Sequence, residues 1–212
     1  MRFDLHVHTD ISPCSRLPLE DILAHARSMG LDGVCLTDHD TMEATARVTE
    51  GPQADGLVVL VGMEYTTPQG DFLIFGTTGR PLNILPLRLT APEMLFQVRR
   101  CGGVAVAAHP FRGGRGVDEA LFSSGLCTAM ESLNGRNSPL DNDMTQMLRA
   151  RYSPVETGGS DAHSLGELGR MVTVFDDPIV TRDDLVRAIA SGRCRPHITA
   201  RGREAVSSQL AM

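Results

Sequence analysis

Short apolar runs alternate along the chain with stretches whose apolar residues recur at helical spacing. Residues 3–7 read as a strand. Leu19, Ile22, Leu23, Ala26 and Met29 then mark one face of a helix, with Gly30 as its stop. Residues 33–36 predict a buried strand and 41–48 a short helix. Strands follow at 57–61 and 72–75, separated by a turn around Pro68-Gln69-Gly70. The segment 77–90, with Gly79, Pro81 and Pro86, reads as a loop. Residues 92–100 form a helix with Pro92 in its first turn. The rest predicts strands at 103–108, 128–133, 155–158 and 171–175. It also predicts helices at 117–124, 140–150 and 185–190, a mobile Arg-Gly-Gly-Arg-Gly loop at 112–116, and a fraying tail from Arg201.

This alternation, with near-continuous apolar strands, points to a parallel sheet covered by helices. About seven βα units in 212 residues favour closure into a distorted (β/α)7 barrel. No composition break divides the chain. It is therefore expected to be a single α/β domain over 1–200, with 201–212 as a tail.

Charge and cysteine content narrow the functional classes. The formal net charge is -6, which disfavours a broad nucleic-acid surface but leaves room for a local basic pocket. Cys14, Cys35, Cys101, Cys127 and Cys194 are odd in number and scattered, with no C-x-x-C. Free thiols in a reducing cytoplasm are expected, with Cys35 and Cys101 as packing residues. No apolar run is long enough to span a bilayer and no leader peptide precedes the first strand, so neither membrane association nor secretion is expected.

The candidate chemistry sits where strands end. His6 and His8 close the first strand and Asp38 and His39 follow the second. Glu64 follows the third, His109 the strand at 103–108, and Asp161 and His163 the strand at 155–158. Side chains at i and i+2 of a strand share a face, so His6 and His8 can hold one ion together. Any one of these motifs could be an ordinary hydrogen-bonded histidine or a loop cap. Five histidines at four strand ends, with two carboxylates, are hard to reconcile with that, because each buried polar group costs stability unless paired or coordinated. Histidine and carboxylate are the ligands of divalent metals. His25 and His197 lie outside the pattern.

The ordered set His-x-His, Thr-Asp-His, Gly-x-Glu, Ala-His-Pro and Ser-Asp-Ala-His resembles the PHP family, the polymerase and histidinol phosphatase domains. The resemblance implies a distorted seven-stranded barrel holding two or three divalent ions, zinc, manganese or iron. It also implies phosphoesterase activity on phosphomonoesters or nucleotide-derived substrates. By the same resemblance, His6, His8 and Asp161 hold one ion, and Glu64 bridges it to a second that His109 also binds. His39 and His163 lean toward a third. Glu64, Asp161 and His163 are the expected catalytic residues, and Asp38 is expected to orient His39 through its ring N–H.

Two departures bear on that set. Where many members carry an acid or histidine five residues after the second histidine, this chain has Pro13. Asp10 or Cys14 could replace it only along a different loop path, so the third ion is expected to be weak. A further histidine of the family is also missing, and Asp71, Glu131 or Asn134 could stand in for it.

Two adjacent ions would lower the pKa of a bridging water, give a hydroxide nucleophile and clamp phosphoryl oxygens. Arg112 and Arg136 are the expected phosphate donors, with Arg115 and Arg170 less well placed. The leading expectation is a metal-dependent phosphoesterase acting on a small phosphorylated substrate. The alternatives are an exonuclease-like phosphodiesterase and a non-catalytic metal-binding regulatory domain. Carboxylated-lysine chemistry on a C–N bond is disfavoured, because the chain contains no lysine.

Overall fold

The computed structural model describes every residue except 78–81, 83–84 and 211–212. Within the described residues lie strands β1 (Arg2–Val7), β2 (Gly33–Leu36), β3 (Gly51–Pro52), β4 (Val58–Val61), β5 (Met63–Thr67), β6 (Gly70–Phe75), β7 (Val104–Ala107), β8 (Ala129–Asn134), β9 (Val155–Gly159), β10 (Met171–Phe175) and β11 (Cys194–Ile198). Helices are α1 (Leu19–Ser28), α2 (Ala91–Arg100), α3 (Ala120–Ser123), α4 (Pro139–Tyr152), α5 (Arg182–Ala190) and α6 (Ala200–Leu210).

The central strands are buried on both faces, and each divides its side chains between two apolar cores. Val34 and Leu36 of β2, Val59 and Val61 of β4, and Phe72 and Ile74 of β6 enter one core. Their neighbours Cys35, Val58, Leu60, Leu73 and Phe75 enter the other, with Phe3 and Leu5. Period-two alternation inside a continuous apolar run thus fills both sides of a sheet. Helices lie outside. α2 and α4 each begin with a capping box, Thr90 with Glu93 and Ser138 with Asp141, and each has proline in its first turn.

The mixed α/β architecture is present, but the strands do not form one closed ring of parallel neighbours. They form two sheets, in the orders β11-β10-β1-β2-β4-β3 and β5-β6-β7-β8-β9. Parallel pairs β1/β2, β2/β4, β7/β8 and β8/β9 are mixed with antiparallel β1/β10, β5/β6 and β6/β7. The break lies at Gly62, between β4 and β5. A Cβ there would sit 2.6 Å from the Phe75 ring and 2.7 Å from the Ile74 carbonyl, so only glycine lets the strand pass from one sheet to the other. Single bridges, His39 to Glu64 and Val7 to Ala162, join the sheets at their two seams.

Other differences are local. The helix expected over 41–48 is a 3-10 turn at Glu43–Ala46, and that over 117–124 shrinks to α3. The loop expected at 77–90 falls partly outside the described residues. The segment expected to fray from Arg201 is helical as far as Leu210, preceded by β11. Thr199 bonds the Gly169 and Arg170 carbonyls, Gly202 packs against the Arg170 carbonyl with no room for a Cβ, and Arg201 meets His25 at 2.8 Å. These long-range anchors have no signature in the segment's own small, polar composition. All five cysteines are free, and no helix among the described residues is long and apolar enough to cross a membrane.

Candidate metal centre

The C-terminal ends of β1, β2, β7, β8 and β9 and the start of β5 deliver their polar side chains to one buried cluster. Glu64 sits at its middle and is 1% exposed. Its Oε1 lies 2.9 Å from His109 Nε2. Its Oε2 lies 3.3 Å from His6 Nε2, 3.1 Å from His8 Nε2 and 3.1 Å from His39 Nδ1. Asp161 Oδ1 approaches His6 at 3.5 Å, His8 at 3.4 Å and His163 at 3.5 Å. The seven residues His6, His8, His39, Glu64, His109, Asp161 and His163 are therefore brought together.

The backbone is bent to achieve this. His109 and Asp161 have φ of 31° and 54°, a left-handed region that costs non-glycine residues of order 1–3 kcal/mol. Each is the second residue past the end of a strand, β7 or β9, and the turn brings their side chains to the cluster at the sheet end. Gly159 allows β9 to come close: a Cβ there would lie 2.5 Å from His6 Cβ and 2.6 Å from Glu131 Oε1.

Electrostatics follow from burial against charge. Burial opposes the charged forms of all these groups. At Glu64, His6 and the hydrogen bonds from His109, His6 and His8 outweigh burial and hold the carboxyl well below its usual range. Asp161 is likewise lowered, because His6, His8 and Arg112 outweigh burial. His6 is raised well above its usual value, since Asp161, Glu131 and Glu64 overcome desolvation. His39 and His163 are lowered, chiefly by burial, and so present neutral imidazoles.

The donor set fits divalent cations. Potential ligand atoms fall into three groups, each within 4.8 Å: His6, His8 and Asp161; His6, Glu64 and His109; and His8, Cys14, His39 and His163. His6 Nε2 and His8 Nε2 face each other at 3.1 Å between two carboxylates. A bound cation satisfies both lone pairs at once.

The roles of several supporting residues were not legible from motifs. Glu131 is fully buried. It receives His6 Nδ1 at 3.2 Å, the His109 backbone N–H at 3.1 Å and the Asn134 amide at 2.8 Å. It thus sits behind His6 and fixes the ring so that Nε2 faces Glu64 and Asp161. Glu131→Gln is expected to weaken metal affinity by about 10–100-fold while the fold is retained. Metal titration of the stripped protein checks this, and unchanged affinity would remove Glu131 from the centre. Asp4, on the same face of β1 as His6, accepts from the N–H groups of Ser160 (2.9 Å), Gly169 (2.8 Å) and His6 (3.3 Å).

Other expected residues take different partners. Asp38 does not reach the ring of His39. It accepts from Thr9 N and Oγ1, both at 2.8 Å, and from Ser12 Oγ at 2.5 Å; Ser12 Oγ in turn lies 3.2 Å from His8 Nδ1 and 3.2 Å from the His39 N–H. Asp10 pairs with Arg47 at 2.6 Å and stays out of the cluster. Asp71 pairs with Arg115 at 3.2 Å.

A cavity of about 150 Å³ opens above the cluster, with Arg112, Arg115 and Arg136 on its wall. Arg112 is tied down by Asp161 at 2.7 Å, Asn134 at 2.7 Å and Asn137 at 3.1 Å. Arg136 lies 2.9 Å from His163 Nδ1 and 3.4 Å from Glu167. Arg170 bonds the Gly166 carbonyl and does not line the cavity.

The PHP domain model matches residues 4–99 and the PHP-associated model residues 139–194. An uncharacterized protein of Methanocaldococcus jannaschii is 30% identical over 122 residues, covering 52% of this chain and 68% of that protein. Among solved structures, PsfC of Pseudomonas syringae superposes with TM-score 0.78 at 21% identity, over 99% of this chain and 96% of that one. A two-domain Bacteroides vulgatus protein containing a predicted PHP-like metal-dependent phosphoesterase gives TM-score 0.66 at 15% identity, over 99% and 69%. The lesion-specific endonuclease of Pyrococcus furiosus gives 0.62 at 21% identity, over 92% of this chain and 58% of that one. With matched models at both ends of the chain and the five strand-end motifs gathered into one cluster, the chain belongs to the PHP domain family.

Proposed function

We propose that the protein is a metal-dependent phosphoesterase that hydrolyses a terminal phosphomonoester of a small or nucleotide-derived substrate. The observation that carries this reading is the pairing of one carboxylate, Glu64, shared among four histidines, with an arginine-walled cavity directly above it. His6, His8 and Asp161 would hold one ion, and Glu64 and His109 a second. When bound, such ions supply Lewis-acid polarisation of a phosphoryl group and an activated water, the chemistry that phosphate ester hydrolysis needs.

The chain's own side chains do the rest. Glu64 keeps its charge, as its lowered pKa requires, and turns one oxygen to His109 and the other to His6, His8 and His39. Glu131 fixes His6, and Arg112 fixes Asp161. Arg115 and Arg136 extend guanidinium donors into the cavity, where planar forks match phosphate oxygens. The cavity is smaller than the roughly 300 Å³ of ordinary ligand pockets. A terminal phosphate fits it better than the interior of a polynucleotide. The two sheets, bridged at both seams, read as a distorted form of the family's seven-stranded ring.

A second reading, phosphodiester cleavage in nucleic acid, draws support from the likeness to the Pyrococcus endonuclease, of which this chain spans 58%. One assay separates the two. Protein loaded with Mn²⁺ or Zn²⁺ is offered an aryl phosphate, nucleoside monophosphates, a bis-aryl phosphate and lesion-bearing DNA. Monoester turnover that chelator abolishes is expected. Turnover of diesters alone would transfer the protein to the second reading, and no turnover by metal-loaded protein would end both. Arg115→Ala should raise KM for the monoester with little loss of kcat and no loss of metal, since Arg115 pairs with Asp71 and touches none of the seven clustered histidine and carboxylate residues. Unchanged KM would return Arg115 to a surface role.

A further inference from the structure

The third donor group contains no carboxylate. His8, His39 and His163 are neutral ligands, and a divalent ion held by them alone keeps its full charge in a half-buried place. The fourth member is Cys14. Its Sγ lies 3.0 Å from His163 Nε2, and it lines the same cavity as His39, His109 and Asp161.

The loop that carries Cys14 is held on both sides. Ser12 N bonds the Thr9 carbonyl at 3.2 Å and Ser15 N the Ser12 carbonyl at 3.0 Å, so the chain makes successive tight turns through Pro13. Ser12 Oγ is anchored on Asp38 at 2.5 Å, and Ser15 Oγ on the His8 carbonyl at 3.1 Å. Asp10 N closes the base of the loop on the Leu17 carbonyl at 2.9 Å. Cys14 is thereby carried over the histidines. Of the other four cysteines, Cys35 and Cys127 are buried in the core and Cys101 and Cys194 are half-buried. Cys14 alone is exposed, which leaves it no packing role to explain its place.

We propose that Cys14 is a thiolate ligand of a metal ion shared with His39 and His163 and bordered by His8, and that this sulfur makes the third position select zinc over manganese or magnesium. On binding, the Cys14 S–H releases its proton to solvent and the sulfur lone pair goes to the ion. The thiolate supplies the one negative charge that the three imidazoles lack. Thiolate with imidazole is a zinc donor set, whereas manganese and magnesium favour oxygen. The inference rests on the metal-centre part of the proposed function and not on the phosphoesterase reaction.

Cobalt substitution tests it without reference to turnover. Full-length protein is stripped, loaded with Co²⁺ and examined by absorption. A sulfur-to-cobalt charge-transfer band in the near ultraviolet is expected. In Cys14→Ser that band should vanish and metal content fall by about one ion per chain, while the remaining cobalt bands persist. Because Cys14 is exposed, this variant should fold normally. Zinc should also protect Cys14 from alkylation in the wild-type protein, and manganese should not. Cobalt bound without a sulfur band, equal alkylation with and without zinc, or full metal content in Cys14→Ser would each overturn the proposal. An active enzyme lacking the band would sink this inference alone. A banded protein without esterase activity would sink only the reaction.

Discussion

Glu64→Gln should abolish phosphoesterase turnover while leaving a folded protein. Glu64 is the group that holds the cluster together, with oxygens at 2.9 to 3.3 Å from His6, His8, His39 and His109. An amide keeps the shape of the side chain but loses the charge that two neighbouring cations need between them, and its NH2 end points a donor at a ligand site. The loss expected is several kcal/mol of transition-state stabilisation, or roughly 10³-fold or more in kcat at saturating metal. Bound metal should fall as well. The metal-free variant should be no less stable than metal-free wild type by more than about 1–3 kcal/mol, the usual cost of an unmatched buried polar group. The checks are metal analysis, kcat on an aryl phosphate and denaturant unfolding of the stripped proteins. Wild-type turnover in the variant would remove Glu64 from the centre.

Asp4→Ala should have the largest effect on stability. Asp4 is fully buried and accepts three backbone N–H groups, from His6, Ser160 and Gly169. Alanine would strand all three in the interior, at about 2–5 kcal/mol in total. The pH dependence has a definite sign. Burial raises the Asp4 pKa from 3.8 to about 6, against the lowering effect of its hydrogen bonds. A raised folded-state pKa contributes stability that is fully present below the unfolded value and is lost as pH rises through the folded one. Wild type therefore gives up part of its advantage as pH rises from 3.8 to about 6 and little beyond, so the gap between the two proteins should be smaller at pH 8 than at pH 5. Urea unfolding of stripped proteins at both pH values measures it. A difference below about 1 kcal/mol at pH 5 would show that the three N–H groups find other partners.

These two residues differ in how visible they were. Glu64 stands in a Gly-x-Glu segment at a strand end, in sequence order with other metal-type motifs, and could be assigned by resemblance. Asp4 lies inside an apolar strand. Its partners Ser160 and Gly169 are more than 150 residues away in the chain, and nothing local announces them. Glu131 is a similar case: its place as one of several stand-ins was open until β8 set it behind His6, on the ring edge opposite the cluster. Asp38 shows the converse. Its neighbour in sequence, His39, is not its partner, because the Thr9–Ser12 turn reaches it first.

The sequence by itself determined most of the central strands and helices, though not β5, β11 or α6, and where the metal-type side chains sit along the chain. Apolar alternation and helix stops are local, and ligands placed just after strands inherit a common face from the parallel pairings. The tertiary structure alone decided how the sheet is divided, because Gly62 passes the chain between sheets only where the Phe75 ring and the Ile74 carbonyl leave no room for a side chain. It likewise decided that Cys14 rather than Pro13 meets His163, since a loop's path depends on where both of its ends are anchored, here on Asp38 and the His8 carbonyl. Which donor reaches an ion is set by that three-dimensional path, and residue spacing alone does not specify it.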